Sequence, residues 1–308
     1  MIFNILTNFL GNPKSTLSPT HFSFNCPNCA ALYNYGQPDN NFNLEIDLNK
    51  EGYEITKVYH CWKCQAHGSL YSLVRKYASR EDRRKYLEFD LSSMAFESRV
   101  KPVNQIVCLP QEFITLKDYL DKPRALEYKF ITYLHDRAIT DQQISYFNLG
   151  ACLSGVYKDR IVFPSYDVAG KLNYFVARAT FQSKKKYDNP PADIVPKQDI
   201  IFNEKNINWN HPITLVEGVF ELLSYPINTT PILGKNLSPK LLKKLVDNNC
   251  SVQIILNDEP LAQEAAQEIQ DMLILCGLRN VRNIVPLEND LNDMKKKGGD
   301  QYIRSLFF

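Results

Sequence analysis

The chain has 308 residues, 44% apolar and 23% charged, a soluble globular composition with room for two or three domains. A net charge of +2 excludes a wholesale polyanion binder, so any nucleic acid must meet a local basic patch. The N-terminal MIFNILTNFLGNPK lacks a signal peptide's basic start and cleavage site, and no run approaches the ~20 apolar residues of a membrane span. A cytoplasmic protein with no membrane partner is expected.

Residues 1–90 carry the first chemical signal. Of eight cysteines, four form Cys26-Pro27-Asn28-Cys29 and Cys61-Trp62-Lys63-Cys64, with 31 residues between the pairs. Two such knuckles turn two thiolates each onto one tetrahedral ion, which predicts a closed, structural Zn²⁺ site. The insert is long enough for a β-hairpin or three-stranded ribbon. His60 and His67 flank the second pair and are the rival ligands; four thiolates already close a site, so the cysteines are preferred. Cys108, Cys152, Cys250 and Cys276 are scattered and read as small buried apolar groups. Phe22, Phe24, Tyr33, Tyr35 and Trp62 suit either base stacking or a small core, and the pattern does not choose between them. Leu70, Leu73, Val74 and Tyr77 predict a closing helix. Residues 91–110, polar with Pro102 and Pro110, read as a linker.

Residues 111–211 form the second zone. From Pro123 to Gly150 the spacing predicts two helices, with Leu126, Phe130, Tyr133 and Leu134 on one face. Thr140 caps the second helix, which ends at Gly150. Strands are expected at Arg160–Phe163, stopping before Pro164, and at Leu172–Ala179, after a turn at Asp167–Gly170. Lys158 to Lys197 holds eight basic and four acidic residues. Arg160, Arg178, Lys184, Lys185 and Lys186 are therefore candidates to track a nucleic-acid backbone or a nucleotide triphosphate. A merely solvated lysine run is the alternative.

Residues 212–308 change to strand–helix alternation. Short apolar runs at Ile213–Val216, 227–233, Val252–Leu256 and Val281–Val285, with a helix over Ala262–Cys276, predict a parallel sheet covered on both faces. Such sheets bind ligands at the strands' C-terminal edge. Three acidic groups follow three of these runs: Glu217-Gly218, then Asn257-Asp258-Glu259-Pro260, then Glu288-Asn289-Asp290-Leu291-Asn292-Asp293. Convergent carboxylates repel unless a cation neutralises them, and hard oxygens suit Mg²⁺ or Mn²⁺. Glu217, Asn257, Asp258, Glu259, Asp290 and Asp293 are the candidate ligands, with Glu217, Asp258, Glu259 and Asp290 as the catalytic set. Lys295, Lys296 and Lys297 read as solvated surface.

Glu217-Gly218, the 257–259 cluster, Asp290 and Asp293 resemble the TOPRIM domain shared by DnaG-type primases, type IA and type II topoisomerases and some nucleases. Tyr133-Leu134-His135-Asp136-Arg137-Ala138-Ile139, with Ile144, Phe147 and Leu149-Gly150, resembles the segment that opens the primase polymerase domain. Asp159-Arg160-Ile161-Val162-Phe163-Pro164, Asp167, Gly170, Phe175, Arg178 and Lys186-Tyr187-Asp188-Asn189-Pro190 resemble its basic strand region. Through Asn257–Pro260 and Leu291–Met294 the likeness is nearest to the small primases of T-even-type bacteriophages. The resemblance covers nearly the whole chain and implies an α/β protein: a zinc β-ribbon, a basic α+β part at 111–211, and a Rossmann-like TOPRIM catalytic domain at 212–308. It also implies a DNA primase making short RNA primers on single-stranded DNA from ribonucleoside triphosphates, by Mg²⁺-dependent nucleotidyl transfer. The zinc ribbon would touch the template, and a separately encoded replicative helicase would be the partner, since GxxxxGK[ST] is absent here.

The sequence departs from the family where Asn257 and Glu259 replace an Asp-x-Asp pair, Glu221 replaces an Asp, and Leu261-Ala262 replaces Ala-Gly. A TOPRIM nuclease or topoisomerase-like enzyme, and a non-catalytic nucleic-acid-binding module with a degenerate metal site, are the alternative readings.

Overall fold

A computed structural model describes residues 2–15, 21–33, 40–47, 58–89, 107–121, 125 and 127–307. Tyr35, Leu126, Pro123 and all but the last four residues of the expected linker lie outside them. The chain divides into two units, Met1–Pro102 and Val103–Phe308.

In the first unit, α1 (Ile2–Leu10) buries Ile2, Ile5, Leu6 and Leu10, one stripe at helical spacing. That helix was not expected from the sequence. The strands β1 (Lys14–Ser15), β2 (His21–Phe24), β3 (Leu44–Asp47), β4 (Val58–Cys61) and β5 (His67–Ser69) form one antiparallel sheet in chain order. It is wider than the hairpin or three-stranded ribbon anticipated. α2 (Pro27–Tyr33) starts on a proline, whose missing N–H is harmless in a first turn. The expected closing helix is α3 (Leu70–Tyr77): Ser69 caps it by accepting from the Ser72 amide, and Leu70, Leu73 and Val74 are buried. A further helix, α4, covers 80–89.

The second unit holds two four-stranded sheets. The first is antiparallel, in the order β6 (Phe113–Thr115), β7 (Gly150–Cys152), β8 (Arg160–Tyr166), β9 (Leu172–Ala179). Around it lie α5 (Leu116–Asp121), α6 (Tyr128–His135) and α7 (Asp141–Tyr146). Thr140 caps α7 as expected, in a reciprocal box with Gln143. Gly150 does not end this helix. It opens β7, where a Cβ would lie 2.1 Å from the Phe113 ring. Nor does Pro164 stop β8: it pairs with Phe175 of β9, while β7 reaches only Arg160–Val162. The missing proline N–H thus falls where no strand waits for it.

The second sheet is parallel, in the order β11 (Thr229–Pro231), β10 (Ile213–Val216), β12 (Val252–Ile255), β13 (Val281–Asn283). Its helices are α8 (Val219–Ser224), α9 (Pro239–Asp247), α10 (Pro260–Leu275) and α11 (Leu291–Arg304). One core runs through both sheets: Phe130, Leu134, Phe163 and Val176 pack with Val216, Phe220, Ile255 and Leu291. The two sheets therefore meet as parts of one body, and their junction is where the site lies.

Candidate functional site

All four residues of β10 are buried, so the first exposed chemistry on that strand comes at its C-terminal edge, at Glu217 and Gly218. Register carries the neighbouring strand to the same edge: Val216 pairs with Ile255, and Asn257 follows two residues on. Asp290 arrives as the N-cap of α11, one oxygen accepting from the Asp293 amide at 2.7 Å. Glu221 comes from the first turn of α8 and lies back against Gly218, where a Cβ would stand 3.0 Å from its Oε2.

These groups share a cavity of about 500 Å³. Glu217, Glu221, Asn257 and Asp290 line it together with Arg137, Arg178, Lys186 and Tyr187. Burial raises the Glu217 carboxyl above its ordinary value, and Glu259 and Asp290 add to the rise while Lys235 opposes it. Burial pushes Glu221 up to about 7, helped by the nearby Asp290 and Glu217 charges. Asn257 Oδ1 is buried without a hydrogen-bond partner, as is Oδ1 of Asn189, which lines the same cavity. An orphaned carbonyl oxygen beside three carboxylates is a donor set that fits a hard divalent cation. The carboxylates form a cradle and not a closed cage. Among the described residues, the only set of three or more such ligands with all atoms within 4.8 Å of one another is the cysteine cluster.

The remaining acidic candidates are placed differently. Glu259 is exposed and outside the cavity lining but close enough to act on Glu217 electrostatically. Asp258 is also exposed and not part of the lining; its amide donates to Asn289 O at 2.8 Å. Asp293 pairs with Lys296.

The basic candidates divide too. Arg178 donates from Nε to the Tyr133 hydroxyl at 3.1 Å and lies over the Tyr187 ring at 4.7 Å. Lys186 lines the cavity, whereas Lys184 is exposed and Lys185 pairs with Asp188 at 2.6 Å. Arg160, expected to contact template or triphosphate, is 7% exposed and donates to the carbonyls of Lys185 and Lys186 at 3.2–3.4 Å. It holds the Lys185–Lys186 segment in place and does not itself face solvent. Lys295, read as solvated, keeps only 10% of its side chain exposed and is paired with Asp300. In the sequence Arg137, Tyr187 and Asn189 stand out only as members of the resembling motifs, and Lys235 does not stand out at all. Arg137 lies 4.3 Å over the Phe220 ring, and Asn292 anchors it by donating to its carbonyl at 2.8 Å. An isolated arginine after a helix gives no sequence signal of such a contact.

In the first unit Cys26 Sγ lies 3.8 Å from Cys64 Sγ, and Cys29 Sγ lies 3.6 Å from Cys61 Sγ. Asn28 Nδ2 donates to Cys64 Sγ at 3.3 Å, a hydrogen bond of the kind that supports a thiolate. Four mutually close sulfurs fit a structural Zn²⁺. The histidines stand apart: the His60 ring packs on Trp62 at 4.4 Å, and His67 Nδ1 lies 2.9 Å from Gln65 O. The aromatics split between the two readings, Phe24 being fully buried and Trp62 62% exposed.

No protein-family model matches the chain, and a search of curated proteins gave no match. Solved structures match in fold. The Aquifex aeolicus primase, with zinc-binding and RNA polymerase domains, aligns with a TM-score of 0.52 at 17% identity, over 99% of this chain and 82% of that one. The RNA polymerase domain of Mycobacterium tuberculosis primase DnaG gives 0.53 at 17% identity, over 62% and 78%. A DnaG primase catalytic domain bound to ssDNA gives 0.52 at 17%, over 62% and 75%. The fold is thus that of DnaG-type primases: a four-cysteine zinc-ribbon module followed by an α/β unit with a TOPRIM-like parallel sheet.

Proposed function

We propose that this chain is a DNA primase, a nucleotidyltransferase that makes short RNA primers on single-stranded DNA from ribonucleoside triphosphates. The observation that carries the reading is one cavity lined by Glu217, Glu221 and Asp290 together with Arg137, Arg178 and Lys186. Primer synthesis needs a 3′-hydroxyl brought in line with an α-phosphate, charge neutralisation around the triphosphate, and an acceptor for one proton. The arginines and Lys186 bind and orient the phosphates. Glu217, Glu221, Asn257 and Asp290 would hold Mg²⁺ or Mn²⁺, with Glu259 and Asp258 at the rim; the bound ion neutralises phosphate charge and lowers the pKa of the attacking hydroxyl. Glu217 accepts the proton as the first choice of base, with direct ligation of the ion as its rival role. Phe220 and Val219, which line the cavity floor, exclude water from the reacting phosphate.

The zinc ribbon contacts the template, and a separately encoded replicative helicase, implied by the resemblance, is the partner. The reading places the protein in the cytoplasm. No helix among the described residues is long and apolar enough to cross a membrane.

The test is incubation with single-stranded DNA, labelled ribonucleotides and Mg²⁺. Short RNA products support the primase and their loss in Glu217→Gln assigns that carboxylate. Strand scission would support a nuclease, and binding without turnover a non-catalytic module; either would overturn the proposal.

A further inference from the structure

Beside the acidic cavity lies a second one, of about 490 Å³, with a different lining. Tyr128, Lys129, Thr132, Tyr133 and Asp136 reach it from α6 and the residue after it, at spacings a helix gathers onto one side. Asp159, Thr180 and Phe181 close it from one end of the β8–β9 ribbon, where Arg160 pairs with Ala179. Tyr128 is 62% exposed and Phe181 52% exposed. Lys129 brings no free charge, because it is ion-paired with Asp159. Tyr133 is the wall between the cavities: its hydroxyl accepts from Arg178 at 3.1 Å and Arg137 lies 5.2 Å over its ring. Both arginines line the acidic cavity.

Single exposed aromatics are ordinary. Two of them, on separate elements and opening onto one cavity a side chain away from two arginines, suit a planar partner. The slot itself is neutral to acidic, so a phosphate is disfavoured inside it, while the arginines next door favour one. An unpaired nucleobase meets both conditions: its face stacks on the rings, its N–H groups donate to Asp136, and its phosphate lies outside the slot.

We infer that the slot formed by Tyr128, Phe181 and Tyr133 holds one unpaired base of single-stranded DNA, with the attached backbone passing toward Arg137 and Arg178. The inference rests on the primase reading for the identity of the strand.

The test uses the full chain and short DNA oligonucleotides carrying 2-aminopurine at each position in turn, whose emission is quenched by stacking. One register should be quenched on the parent protein and recover with Tyr128→Ala/Phe181→Ala. Affinity for the unmodified oligonucleotide should fall about ten- to a hundred-fold, the range of one lost base stack. An abasic nucleotide at the quenched register should weaken the parent similarly and the double variant no further. Tyr128→Phe should restore both signals, which a folding defect would not allow. Unchanged quenching and affinity in the double variant would overturn the inference, and so would a loss of free ATP binding without a loss of DNA binding. Primer synthesis is scored separately: primers made by a double variant of parental DNA affinity sink the slot and leave the primase reading intact. Quenching by a protein that makes no primers does the reverse.

Discussion

Without a cation beside it, the fold favours the neutral form of Glu221. Burial raises its carboxyl from 4.5 to about 7, and the Asp290 and Glu217 charges keep it there. The unfolded chain ionises near the ordinary value, so this group's contribution to stability is complete below about pH 4.5 and is lost as pH rises through 7. The full difference is about 3 kcal/mol. In chelator, unfolding by denaturant at pH 5 and pH 8 should show the parent losing about that much relative to Glu221→Gln; parallel losses would place Glu221 outside the strained cluster. Asn257 invites the opposite change. Its Oδ1 has no partner, and Asn257→Asp adds a charge beside Glu217. Calorimetry with Mn²⁺ should show divalent affinity rising several-fold; an unchanged titration would move the ligand role to Asp258. The place of Asn257 was legible because the apolar run 252–256 ends there. The burial of Glu221 was not, because a six-residue helix such as α8 leaves no periodic trace long enough to say which side faces inward.

At the scale of elements, two hydrogen-bonded ties shape the cavity's basic lining. Arg160 donates to the carbonyls of Lys185 and Lys186, and the Ala179 amide donates to Lys186 O at 3.0 Å, so Lys186 and Tyr187 are drawn alongside β9. Asn292, 1% exposed, joins the start of α11 to the Arg137 carbonyl and to Ser224 Oγ of α8 at 3.1 Å. Breaking either tie leaves buried polar groups unpaired, which costs about 1–3 kcal/mol. Arg160→Met and Asn292→Ala should each lower Tm by that equivalent and raise the KM for nucleotide more than they lower kcat. An effect on Tm with KM unmoved would make them structural only. The parallel sheet was read correctly from its short apolar strands, since a strand buried on both faces has few other sequence signatures. The burial of Arg160 leaves no such signature, because a basic residue opening a strand looks the same whether its guanidinium meets a phosphate or two carbonyls. The partner of Asn292 lies 155 residues away, beyond any local pattern.

At the scale of the whole molecule, the described residues of each unit have a hydrophobic core of their own, and the cysteine cluster belongs to the first unit's. Cys26, Cys29 and Cys61 belong to the first unit's hydrophobic core, alongside Phe24, Leu44, Ile46 and Leu73. Burial pushes the Cys26 thiol up to about 12 and raises Cys29 as well, so these two become thiolates only with a cation beside them, whereas hydrogen bonds from Asn28 and the Ala66 amide outweigh burial at Cys64 and lower it to about 7. The second unit's core, from Leu116 to Ile303, contains no cysteine of that cluster. Stripping zinc with a strong chelator, or substituting Cys61→Ser, should therefore abolish or lower one calorimetric transition and leave the other in place. If the second unit carries the chemistry, the stripped protein should still bind ribonucleotide with Mn²⁺ while losing template-dependent initiation. A single transition that moves as a whole would mean that the two cores fold as one, and the zinc ribbon would then have to be counted as part of the catalytic unit's stability.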